Sequence, residues 1–273
     1  MDAQTLRAQA FKALHEREGA FVIPNPWDAG SAKMLASLGF AALATTSAGY
    51  AFSNARPDGG LSLEDTLANV RAIVAATDLP VAVDLENGFA DDPAECAQSI
   101  LRAAEAGAVG GSIEDATGRE EAPIYCFEHA VARIEAAVAA ARSLPFPFML
   151  TARAENFLHG NPDLADTIRR LQAFAEAGAD VLYAPGLRSV EDVLAVVRAV
   201  APKPVNVLMS GGLKLTVEQL REMGVKRISV GSALALAAYG EFFRAAEEIK
   251  TSGTFGFTSR SMPYAKANQL FKG

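Results

Sequence analysis

Asp84 and Glu86 follow the apolar run that opens "PVAVDLENGFADD", two residues apart and so on one face of an extended chain. Glu114 closes a second apolar run, in "GGSIED", and Arg153 a third, in "FMLTARAENF". Three carboxylates brought into one small volume repel unless protons or a cation intervene, and a hard divalent ion is the economical answer. Oxygen-only ligands without a neighbouring His or Cys favour Mg2+, or alternatively Mn2+, over zinc. The competing reading leaves these acids capping helices or pairing with Arg153 and Arg119. Arg153 offers a fork that fits a carboxylate or an enolate oxygen at two points, or else it forms a plain ion pair with Glu155 or Glu114.

The turn "TTSAGYAFSNARPDGG" adds backbone N–H groups around Ser47, Ala48 and Gly49, either a cradle for an anionic oxygen or simply a tight turn. Trp27 and Tyr50 either wall a pocket or pack. His15 and His129 fall on predicted helices, which leaves His159, in "NFLHGNPD", as the histidine placed to approach the same region. No Lys stands at the end of a predicted strand, so a Schiff-base aldolase is disfavoured.

These groups need a scaffold that delivers them to one place. "LASLGFAALATTSAG", "AAEAGAVGGSIED", "FAEAGADVLYAPG" and "LREMGVKRISVG" each read as a helix end, a Gly for the left-handed C′ position, then a β-rich run. Asp92-Pro93 and Asn161-Pro162 read as cap-then-Pro helix starts, and Ser189 with Asp192 and Thr216 with Gln219 as capping boxes. Strands then fall near 20–24, 41–46, 80–84, 109–114, 147–153, 180–184, 204–208 and 226–231. Eight apolar strands alternating with helices predict an α/β fold, a (β/α)8 TIM barrel in a single domain over 1–273, with an extra N-terminal helix and a C-terminal helical tail. A doubly wound sheet is the alternative, but no G-x-G-x-x-G follows the first strand. Turn punctuation precedes the strands, whereas Asn25, Trp27, Asp28, Ser47, Asp84, Glu86, Glu114, Asp115, Arg153, Glu155, Tyr183 and Asn206 follow or end them. That end of the barrel is where enzymes of this architecture work.

With 25 Lys and Arg against 32 Asp and Glu, the net charge is −7 and gives no electrostatic reason to bind nucleic acid or an acidic membrane surface. No stretch has the apolar density of a membrane span, and residues 1–20 lack the pattern of a secretory signal, so a cytoplasmic location is expected. Cys96 and Cys126 both fall in predicted helices and read as small core residues rather than a disulfide.

The ordered set "NPWDAGSAKMLASLGF", "TTSAGY", "VDLENGFAD", "SIED" and "TARAENF" resembles the isocitrate lyase and phosphoenolpyruvate mutase superfamily over nearly the whole chain. That resemblance implies Mg2+ held directly by Asp84 and through water by Glu86 and Glu114, with Asp58 beside it. It implies that Ser47 and the Ala48 backbone grip the carboxylate and oxo groups of a small 2-oxo or 2-hydroxy acid, with Arg153 at the same end. Trp27, Gly49 and Asn206 complete the expected substrate-binding set.

Two departures stand out. The metal segment reads D-x-E where the family has D-x-D, and the K-[KR]-C-G-H loop of its isocitrate- and methylisocitrate-cleaving members is replaced by "ATGREEAPIYCFEHAV". A thiol-dependent lyase is therefore not expected, and Arg119 and Tyr125 are the loop groups left to act on substrate. The resemblance implies a carbon–carbon lyase passing through an enolpyruvate-like anion. An oxaloacetate-type decarboxylase, a phosphonopyruvate mutase or hydrolase, and a non-catalytic barrel that binds 2-oxo acids are the alternatives. It also implies a homo-oligomer, dimer or tetramer, with the tail from about residue 254 packing on a neighbouring subunit or on its own barrel.

Overall fold

All eight expected strands form, each as the middle of its apolar run: β1 (Phe21–Ile23), β2 (Leu43–Ala44), β3 (Val81–Asp84), β4 (Gly110–Glu114), β5 (Met149–Arg153), β6 (Val181–Tyr183), β7 (Val205–Leu208) and β8 (Arg227–Ser229). The computed structural model describes residues 2–272. Every strand pair is parallel, in the order β1-β8-β7-β6-β5-β4-β3-β2. The ring closes between β1 and β2 through the Ala44 N–H to the Pro24 carbonyl at 3.1 Å, rather than through a ladder. The chain is a (β/α)8 barrel, as the alternation of elements predicts.

Helices cover the outside: α1 (Ala3–Glu16), α2 (Ala29–Ser37), α3 (Ser47–Ser53), α4 (Leu63–Ala76), α5 (Pro93–Glu105), α6 (Phe127–Ser143), α7 (Leu164–Glu176), α8 (Val190–Val200), α9 (Val217–Glu222), α10 (Ala233–Ser252) and α11 (Tyr264–Phe271). Asp92 caps as expected and Thr216 with Gln219 closes its capping box, whereas Ser189 caps through the Asp192 N–H alone, without the return bond from the Asp192 side chain. The cap of α7 is not the expected one: Asp163 supplies it, accepting from the Asp166 N–H, and Asn161-Pro162 stays in the loop before it. Cys96 is buried as expected, but Cys126 lies at the N-cap of α6 and is exposed, so it is not a core residue.

Helix α1 plugs the N-terminal end of the barrel. Its Ala8, Phe11 and Leu14 are buried against Phe21, Ile23, Val109, Met149 and Val181, and each fully buried large side chain contributes about 1.5–3 kcal/mol. Gly110 makes room for this plug, because a Cβ there would lie 2.7 Å from the Phe11 ring and 2.8 Å from the Met149 carbonyl.

The tail runs through α10 and a 3-10 turn (Gly256–Arg260) to α11, which lies against α2 of its own chain. Of the twenty residues of α10 only Ala235 is buried. No helix among the described residues is long and apolar enough to cross a membrane.

Candidate active site

Arg153 ends β5 in register with Glu114 on β4 and Tyr183 on β6, so three side chains from adjacent staves reach the mouth together. Its guanidinium is spread over three carboxylates: Nη1 to Asp84 at 2.9 Å, Nη2 to Glu114 at 3.0 Å and Nε to Glu155 at 2.8 Å. The Tyr183 ring lies 5.2 Å from its Cζ. The ion pairing weighed as one alternative is thus present, with three acids at once.

Asp84 is held from several sides. Its Oδ2 accepts from the Ser47 hydroxyl at 3.0 Å, and its Oδ1 accepts from the Ser112 hydroxyl and the Glu86 N–H, each at 3.3 Å. Its backbone N–H donates to the Thr45 hydroxyl at 2.9 Å. Ser47 is the first residue of α3, which Thr46 caps, so its N–H and that of Ala48 belong to the helix-opening groups that have no intrahelical acceptor.

Crowding and burial raise several of these acids above their ordinary range. Burial first, then the charges of Asp84 and Asp58, push the Glu86 carboxyl up to about 7. Burial also drives Glu114 well above the carboxylate range, Arg153 opposing and Glu155, Asp84 and Glu86 adding. Burial and the Asp84 charge raise Asp58. For Arg153 burial works against the charge, but Glu114, Glu155 and Asp84 outweigh it and the guanidinium is held more firmly charged than usual.

The mouth is a cleft of about 790 Å³ with Ser47, Asp58, Glu86, Glu114, Arg153 and His159 on its wall. It meets a deeper cavity of about 320 Å³ inside the barrel, the two sharing Ser47, Asp58, Arg153 and Leu158. Ala48, Asp84 and Asn206 line the deeper one. With Asn25, Glu155 and Tyr183, also on these walls, they are the expected residues that the fold brings together.

The others are elsewhere. Arg119 and Tyr125 form neither wall: both bond Asp91, Arg119 at 2.9 and 2.7 Å, and the Tyr125 ring is stacked under the Arg133 guanidinium at 4.3 Å. Burial, then the bond to Asp91, push the Tyr125 hydroxyl up to about 12. Trp27 packs beside Tyr239 rather than on the cavity. Gly49 is buried for packing reasons, since a Cβ there would lie 2.7 Å from Thr46 Cγ2, 3.2 Å from Ala235 and 3.3 Å from Trp27. Asp115 accepts from the Glu155 N–H at 2.8 Å and from Arg170 at 3.0 Å, a scaffold role behind the mouth. Arg227 and Ser112 were not among the expected residues, although both line the deeper cavity.

Among the described residues no three His, Cys, Asp or Glu side chains close on one point as an all-protein metal cage does. The donor set fits a hydrated hard ion instead. Every acidic group is an oxygen donor, and Glu86 Oε1 is buried without a hydrogen-bond partner, an acceptor that a coordinated water would satisfy.

Parallel staves under a mouth of paired acids and an arginine define an enzyme barrel. The family model for phosphoenolpyruvate phosphomutase matches residues 11–250, and the chain belongs to that family, within the isocitrate lyase and phosphoenolpyruvate mutase superfamily of lyases and mutases. It is 57% identical, with a TM-score of 0.98, to a Burkholderia cenocepacia J2315 crystal structure provisionally assigned as a lyase/mutase, covering 100% of this chain and 98% of that one. It is 30% identical to the 2-methylisocitrate lyase of Escherichia coli K12, over 88% of this chain and 82% of that protein. The structure of oxaloacetate acetylhydrolase with its product oxalate is 27% identical with a TM-score of 0.86, covering 96% of this chain and 93% of that one.

Proposed function

We propose that the protein is a Mg2+-dependent carbon–carbon lyase that cleaves a small 2-oxo or 2-hydroxy (di)carboxylic acid by way of an enolpyruvate-like anion. The observation that carries this reading is the single guanidinium of Arg153, held among Asp84, Glu114 and Glu155 at the junction of cleft and inner cavity. A positive group already fixed by neighbouring acids needs no reorganisation when negative charge develops on a substrate oxygen beside it. The relatives named for 2-methylisocitrate and oxaloacetate act on acids of this size and kind.

Asp84 would hold the ion directly, with Glu86 and Glu114 contacting it through water. When bound, Mg2+ supplies a Lewis acid beside the substrate's oxo or hydroxyl oxygen. The chain's own groups do the rest. The Ser47 hydroxyl and the N–H groups of Ser47 and Ala48 grip the substrate carboxylate, and Arg153 takes the adjoining oxygen at two points. Leu61, Phe89 and Leu158 on the cleft wall keep bulk water from the reacting carbons. Asp58, whose carboxyl burial and the Asp84 charge raise above its ordinary value, stands on the cleft wall as the group to exchange a proton with a developing anion. Arg119 and Tyr125 clamp Asp91, which itself lines the cleft, and so position the loop that covers the substrate. The protein works in the cytoplasm as a homo-oligomer.

The test is to strip the protein of metal, restore Mg2+ and assay pyruvate and glyoxylate release from a panel of 2-oxo and 2-hydroxy acids. Metal-dependent turnover of at least one member is expected; none at all would remove the proposal.

A further inference from the structure

The floor of the inner cavity carries a second arginine whose charge nothing in the fold neutralises. Arg227 begins β8 and is only 6% exposed, yet no carboxylate among the described residues pairs with it. Its Nε donates to Asn206 Oδ1 at 2.8 Å and its Nη2 to Thr151 Oγ1 at 2.9 Å, which uses two of the five N–H donors of a guanidinium. Nη1 has no acceptor and is not among the sealed, unpartnered atoms, so it faces the cavity that Arg227 lines.

Other buried arginines of this chain have their terminal nitrogens engaged by acids or carbonyls, although Arg133 Nε is sealed without a partner. Arg153 has three acids, Arg170 has Asp115 and Asp166, and Arg133 has the carbonyls of Asn87, Ala90 and Asp91. Burial lowers the Arg227 guanidinium to about 10, with Tyr183 opposing, so it remains charged at neutral pH. A buried cation without a partner is costly and draws an anion.

The cavity also dictates which anion. Ser47, Ala48 and Arg153 line its upper wall. Thr151, which Arg227 touches, stands two residues below Arg153 on β5, a rise of about 6.6 Å along a parallel strand. We propose that Arg227 binds the second carboxylate of the substrate, which makes the inner cavity the specificity pocket for a short dicarboxylic acid. The Thr45 and Ser229 hydroxyls on the same wall, which accept from the Asp84 N–H and the Asn206 amide, keep their own protons as further donors to that carboxylate. Arg227 here is a specificity-determining residue, remote from the bond that breaks. The inference rests on the reading that the mouth holds the 2-oxo acid end.

The experiment is calorimetric titration, with Mg2+ present, of wild type, Arg227→Gln and Arg227→Lys with three probes: oxalate, pyruvate and the 2-oxo diacid oxaloacetate. Arg227→Gln should weaken the diacid by at least about tenfold while leaving oxalate and pyruvate within about twofold, and Arg227→Lys should recover part of the loss. Equal weakening of all three probes, or of none, overturns the inference. If wild type binds neither oxalate nor pyruvate, the mouth reading fails separately. Crystals of wild type soaked in bromide decide the matter in that case, and also if Arg227→Gln does not fold. An anomalous peak at Arg227 that the diacid displaces supports the inference. No peak, or a bromide that stays beside bound diacid as an independent anion, overturns it.

Discussion

Arg153 and Asp84, 69 positions apart in sequence, meet across the mouth at 2.9 Å, and Asp84 also accepts from the hydroxyls of Ser47 and Ser112. The pair joins a strand end that carries positive charge to one that carries negative charge, and a third element, the start of α3, is tied to both through Ser47.

Removing Arg153 strands three acids. Arg153→Ala should cost about 3–5 kcal/mol of stability near pH 8, the usual penalty for leaving one side of a buried pair uncompensated. The folded-state carboxyls, already raised, rise further without it, so this loss grows with pH and shrinks toward pH 5 as the acids take up protons. Urea unfolding at the two pH values reads the difference. kcat/KM should fall by about 10²–10³.

Glu86 carries a pH signature of its own. Its folded pKa of about 7 lies above the ordinary carboxylate value, so the native state binds the proton more tightly and metal-free stability falls as pH rises toward 7. Mg2+ should therefore raise the melting temperature most at pH 8 and least at pH 6, where protons compete. Glu86→Gln should flatten that dependence in a thermal shift series.

Gly49→Ala separates packing from binding. The added methyl meets Thr46, Ala235 and Trp27 at once, and overpacking of this kind costs about 1–3 kcal/mol. A drop in stability with KM little changed is expected for folded enzyme assayed at low temperature.

The outer face of α10 exposes Phe242 and Phe243 at 73% and 69%. Adjacent exposed aromatics on an unburied helix are what a contact between copies would cover under the proposed homo-oligomer. Replacing both with Glu should lower the mass seen by light scattering while leaving the barrel's circular dichroism intact.

The barrel was readable because glycines and prolines punctuate its strands, and the functional groups then follow from which strand end they occupy. Asp84, Glu114 and Arg153 converge for that reason alone. Arg227 escaped because it begins its strand, the end that reads as scaffold, and only its long side chain carries the charge inward. Arg119 and Tyr125 were misleading for the opposite reason: loop residues have no register to fix them, and Asp91 takes both. Asn161-Pro162 looked like a helix start because the sequence alone does not tell it from Asp163 two residues later, whose side chain reaches the Asp166 N–H.

The closure between β1 and β2 leaves the cylinder one seam without a ladder. Apart from the Ala44 N–H to Pro24, the Asn25 amide crosses it, donating to the Thr45 carbonyl at 3.0 Å, while its Oδ1 accepts from the N–H groups of Val230 and Gly231 at 2.9 Å each and so ties the end of β1 to that of β8. The turn bearing Ser47 and Ala48 thus hangs on a stave with a full ladder on one side only, whereas Arg153 sits on β5, laddered to both β4 and β6.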